Sequence, residues 1–117
     1  MFTLFIGTER DAAGRTINPL VRRRAIQEIK REALDRFGGY SASIVFGGWR
    51  DAAGHVVEEK TLRLEFCVAH GSTPLCISSR PEEYRSHAEC FAGVARQALL
   101  QASVLLCEPG APDCFVG

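Results

Sequence analysis

Apolar and polar residues alternate along this chain in stretches that mark successive elements. The run Phe2–Gly7 (FTLFIG) is short, aromatic and β-branched, and predicts a strand that begins almost at the first residue. The polar stretch TERDAAGRTI follows as a loop. Asn18 before Pro19 combines a side-chain N-cap with the proline that suits the first helical position, so a helix is expected from there to about Arg36. Gly38-Gly39 supply its stop. At helical spacing its inward stripe is Arg22, Ile26, Ile29, Ala33 and Phe37.

Tyr40–Trp49 then alternates with period two, placing Tyr40, Ala42, Ile44 and Phe46 on one face. In the next stretch Leu62, Leu64, Phe66 and Val68 alternate with Thr61, Arg63, Glu65 and Cys67, the pattern of a strand with one buried and one mixed face. HGSTPLCIS reads as a loop with a short extended piece at Leu75–Ile77. Ser79-Arg80-Pro81-Glu82 reads as a capping box opening a second helix to about Leu100, on the stripe Tyr84, Ala88, Phe91, Ala95 and Ala98. Ala102–Cys107 is a last strand, and residues 109–117 form a Pro/Gly-rich tail expected on the surface. The order β-α-β-β-α-β with right-handed crossovers predicts one α+β domain over residues 1–108. Its expected form is a ferredoxin-like sandwich, with two helices on one face of a four-stranded antiparallel sheet.

Composition narrows the function more than it names one. A formal net charge of zero gives no bulk attraction to nucleic acid or to a membrane, and neither is expected as a partner. No apolar run approaches a membrane span and the N-terminus lacks a basic region, so a cytoplasmic protein is expected. Five cysteines without a CxxC read as reduced, packing thiols. Twelve arginines against two lysines fit either a GC-rich coding sequence or bidentate binding of anions.

One pentapeptide, R-D-A-A-G, occurs twice, at residues 10–14 and 50–54. Its plain account is turn chemistry: Asp opens a type I turn and Gly takes the positive-φ position. In the expected topology both copies leave the sheet at the same edge, where the first helix also begins. Arg10, Asp11, Arg22, Arg50, Asp51 and His55 would gather there, as a loop-holding network or as a pocket for a phosphate or carboxylate ligand.

Elsewhere the candidates are thinner. Phe5, Val45, Trp49, Arg63 and Glu65 on the uncovered sheet face suit a homodimer or another protein partner. Glu59 shares a face with Thr61 and Arg63 and reads as a cross-strand charge partner before it reads as an acid or base. His87 and Cys90 lie three apart on a helix, but no second ligand pair completes a metal site. Cys67 or Cys76 with His70 has no supporting local sequence, and no cofactor motif is present.

The stretch LFIGTERDAAG…FGGYSASIVFGGWRDAAGHVVEEKT resembles a family of small bacterial proteins of unknown function with an FxG…GxW…GxVxxE pattern. The positions are Phe5, Gly7, Gly39, Gly47 or Gly48, Trp49, Gly54, Val56 and Glu59. The resemblance implies a ferredoxin-like α+β fold, supplies no activity, and marks Trp49 and Glu59 for testing. The expectation is therefore a small, dimeric, non-catalytic binding protein with an anionic-ligand site at the sheet edge. A protein-interaction module or inhibitor acting through the open face and Trp49 is the alternative. A small enzyme with Glu59 or a histidine as acid/base is the third.

Overall fold

The computed structural model describes residues 1–68, 80–111 and 113–117. Five strands and two helices follow one another as β1 (Phe2–Gly7), α1 (Pro19–Phe37), β2 (Ser41–Arg50), β3 (Val56–Phe66), a 3-10 turn at Pro81–Glu83, α2 (Tyr84–Ala98), β4 (Val104–Cys107) and β5 (Cys114–Val116). The strands form one antiparallel sheet in the order β2-β3-β1-β4-β5.

Four strands were expected and a fifth is present. The segment read as a surface tail returns as β5, pairing Val104 with Val116 and Leu106 with Cys114. Arg85 of α2 holds it there, bonding Glu108 at 2.9 Å, Glu89 at 3.1 Å and the Cys114 sulfur at 2.7 Å. With its guanidinium locked by these acceptors, the Arg85 pKa rises above the ordinary arginine value.

Local signals place α1 well. The Asn18 side chain accepts from Leu20 N at 2.9 Å, and Gly38, at φ 82°, donates its N–H to Leu34 O at 2.9 Å. The buried stripe is Ala25, Ile29, Ala33 and Phe37, with Arg22 and Ile26 at its half-buried shoulder. It thus turns slightly from the expected one. The buried alanines Ala25 and Ala33 of α1 and Ala88, Ala92 and Ala95 of α2 keep the two helices close, and Phe37, Phe66 and Phe91 pack together. These join Phe2, Leu4, Ile6, Leu62, Leu64, Val104 and Leu106 in a single core on the helix side of the sheet.

The start of α2 expected at Ser79 lies outside the described residues, as do Leu75–Ile77, His70 and Cys76. Among those described, Glu83 caps the preceding turn, its carboxylate meeting the Arg80 guanidinium at 3.2 Å. α2 stops two residues earlier than expected. Leu100 takes the left-handed conformation (φ 55°), and Gln101 N bonds Arg96 O.

Strand β2 departs from its periodicity in one respect. Ala42, Ile44 and Phe46 do share the helix-side face, yet all three are exposed, because β2 is a sheet margin that the helices do not cover. Only Tyr40, just before the strand, packs against the core.

Candidate functional site

The two R-D-A-A-G segments fold alike. Asp11 Oδ1 accepts from Ala13 N and Arg15 N, both at 2.9 Å, and Asp51 Oδ1 accepts from Ala53 N at 3.0 Å and His55 N at 2.9 Å. In each, the glycine donates back to the aspartate carbonyl, at 2.9 and 3.0 Å, with φ 79° at Gly14 and 84° at Gly54. Asp orders the turn through its side chain and Gly accepts the left-handed closing position, which accounts for the repeat.

The charges expected at this edge serve their own loops. Arg15 lies 3.7 Å from Asp11, His55 lies 3.7 Å from Asp51, and Arg50 bonds Gly54 O at 3.2 Å. Among the described residues no ion pair links one loop to the other. Arg10 is exposed and contributes backbone groups, while Arg22 is half-buried on α1. The first loop is anchored to the body, with Ala12 N bonding Leu100 O at 2.8 Å.

A different cluster forms on the sheet face that the helices leave open. Glu59 on β3 is only 4% exposed. Its Oε2 accepts from Glu9 N at 3.2 Å and Arg10 N at 3.1 Å. These backbone groups, and not a cross-strand charge, are its partners, while Arg63 pairs with Glu65 at 2.8 Å. Glu59 Oε1 leans over Gly7, where any Cβ would collide with it. Gln101 reaches the same place from beyond α2. Its Nε2 donates to Arg10 O (2.7 Å) and Leu99 O (2.9 Å), and its Oε1 lies 2.9 Å from that same Cβ position. Two acceptor oxygens therefore converge over a glycine.

Glu59 Oε1 receives no hydrogen bond from the described residues. No fully buried side-chain oxygen among them lacks a partner, so Oε1 keeps contact with solvent. Burial raises the Glu59 pKa above the ordinary carboxylate value, and the two N–H donors partly oppose this. One step along the sheet, Gly47 faces Glu59 across the β2–β3 pair. A Cβ there would press on Thr61 Oγ1 at 2.9 Å and touch the Trp49 ring at 3.7 Å. The outcome is a carboxylate, a hydroxyl and an aromatic ring packed over two glycines.

Of the residues expected at a subunit interface, Phe5 and Val45 on this face are half-buried and Trp49 is 42% exposed. His87 is half-buried on α2, and Cys90 accepts from Arg36 at 3.5 Å. Among the described residues no three His, Cys, Asp or Glu side chains converge as metal ligands, and no helix is long and apolar enough to cross a membrane.

No family model matches the chain, and no curated protein matches it in sequence. Solved structures do. A phage SAM lyase in complex with S-methyl-5'-thioadenosine superposes with a TM-score of 0.65 at 14% identity, covering 98% of this chain and 86% of the other. A phage SAM lyase in its apo state gives a TM-score of 0.63 at 16% identity over the same shares. The likeness is one of fold: α+β, with two helices on a five-stranded antiparallel sheet.

Proposed function

We propose that the protein binds an adenosyl sulfonium on the open sheet face at Glu59 and acts on it as a lyase. The supporting observation is the Glu59 carboxylate, anchored through one oxygen by two backbone N–H groups while the other lies over Gly7 and keeps contact with solvent. A preformed, partly desolvated anion suits a cationic ligand, because its charge is weakly screened and its position is already fixed. The sulfonium of SAM is such a cation. The Trp49 ring nearby offers an apolar surface for a base or a methyl-sulfonium group. The fold-level likeness to a lyase that holds a thioadenosine directs the choice of ligand, and by itself it is analogy. We also read the strand order β4-β1-β3-β2 as the expected ferredoxin-like arrangement, extended by β5.

This reading moves the site from the loop edge, where arginine and aspartate satisfy one another, to the face where a carboxylate oxygen is left to solvent. The experiment is incubation with SAM, following release of S-methyl-5'-thioadenosine by chromatography and binding by calorimetry. Turnover in the wild type, lost in Glu59→Gln with folding intact, is expected. A wild type that neither binds SAM nor releases thioadenosine overturns the proposal.

A further inference from the structure

The chain leaving α2 grips the loop that follows β1. Gln101 N donates to Arg96 O at 2.9 Å and the Arg96 guanidinium donates to Gln101 O at 3.2 Å, so the backbone of residue 101 is fixed at both ends. Leu100 before it is in the left-handed conformation at φ 55°, uncommon for a residue with a side chain. Such a conformation persists where its surroundings over-determine it, and here it aims two neighbouring groups at one loop. Leu100 O accepts from Ala12 N at 2.8 Å, and the Gln101 side chain crosses to Arg10.

Arg10 is held from two sides. Its C=O accepts from Gln101 Nε2 at 2.7 Å, and its N–H donates to Glu59 Oε2 at 3.1 Å. Glu9 also donates to Oε2, but its carbonyl is taken by Ile17 N at 2.8 Å within the loop itself, so the link to α2 runs through Arg10. Gln101 Nε2 donates to Leu99 O as well, at 2.9 Å. Turning that amide over would set its oxygen against two carbonyl oxygens, so Gln101 Oε1 keeps one direction, over Gly7. Glu59 Oε1 comes to the same point from β3. Two acceptors thus face one another, with no donor between them among the described residues.

We propose that Gln101 is the positioning residue of the Glu59 site. It acts on both carboxylate oxygens. Through the Arg10 backbone it holds the N–H that fixes Oε2, and its own oxygen repels Oε1, which is left to solvent and to a ligand. This role rests on Glu59 being the group that meets the ligand, whatever that ligand is.

Nuclear magnetic resonance of the full chain tests this without a ligand. An amide proton bonded to a carboxylate shifts as that carboxylate ionises, so the Arg10 amide is expected to follow Glu59 through its titration. Glu59→Gln removes that part of the response and leaves the part due to the Glu9 carboxylate, which can then be subtracted. In Gln101→Met, which keeps the volume and loses the donors, the Glu59-dependent shift at Arg10 is expected to fall by about half or more, with an unchanged circular dichroism spectrum. Gln101→Ala is a second variant with the same expectation. In both, kcat for thioadenosine release from SAM is expected to fall about tenfold or more. An Arg10 response equal to that of the wild type in the folded variants overturns the proposal, and so does a diminished response with full turnover. A wild type inert toward SAM removes the lyase reading alone, and the Arg10 response then decides whether Gln101 positions Glu59.

Discussion

Gly7 and Glu59 share one volume. The space a side chain would take at the end of β1 is filled by a carboxylate from β3, wedged there by the backbone of Glu9 and Arg10. A glycine at the end of a strand and a glutamate more than fifty positions later are thus one structural unit.

Gly7→Ala is expected to destabilise the protein by about 1–3 kcal/mol, since the methyl group must displace Glu59 or Gln101 in a packed setting. Gly39→Ala is the control: nothing lies within 4 Å of a Cβ there. Urea midpoints of the two variants check this, and equal midpoints would show that Glu59 and Gln101 give way over Gly7 without cost.

The pH dependence has a definite sign. Burial raises the Glu59 pKa above its ordinary value of 4.5, so ionising this group costs more in the folded chain than in the unfolded one. The stability this group contributes is complete below that value and is lost as pH rises through the folded-state pKa. Glu59→Gln keeps an acceptor for both N–H groups and cannot ionise. Its stability relative to the wild type should therefore increase as pH rises from 4.5, measured by urea unfolding at a series of pH values.

The twin loops are expected to respond unequally. Asp11→Ala removes two hydrogen bonds from a loop tied to Leu100 and should cost about 1–2 kcal/mol of global stability. Asp51→Ala removes the same two bonds at the tip of the β2–β3 hairpin, past the last pairing of β3 with β1 at Thr61, and should cost less than about 1 kcal/mol. Hydrogen exchange should show faster protection loss at Ala53 and His55 in the second variant and nowhere in the core.

Phe91 is fully buried and meets Phe37 and Phe66 edge-on, with ring centroids 5.3 and 5.1 Å apart. Phe91→Ala is expected to cost about 3–5 kcal/mol, read from thermal or urea unfolding.

What could be read in advance was local. The N-cap at Asn18, the glycine stop at Gly38, both Asp-Gly turns and the alternation of β3 depend on neighbours within a few residues, and they appear as expected. β5 was not legible, because a three-residue strand inside a Pro/Gly-rich stretch has no period to detect. It exists through pairing with β4 and the reach of Arg85 from α2. The exposure of Ile44 and Phe46 was hidden for a related reason. Alternation assigns a face, but whether a helix covers that face is a property of the whole sheet. Glu59 showed its face in the sequence, but its partners, the backbone groups of residues 9 and 10, come from a contact that only the topology creates. The one available signal was two short glycine motifs, FxG ending at Gly7 and GxW opening at Gly47 or Gly48.

The two margins of the sheet differ in a way that bears on how the protein fails. β5 is three residues long and pinned by Arg85 through Cys114, so that flank offers little backbone to a newcomer. β2 is ten residues long, carries no charge before Arg50 and contains no proline. Filament growth by strand addition needs two sticky ends, one to receive and one to pass the pattern on. A sheet with one blunted flank terminates such growth at a pair. Shortening the chain before Cys114, or breaking the Arg85 clasp, would bare the second flank and leave the sheet open to strand addition at both margins.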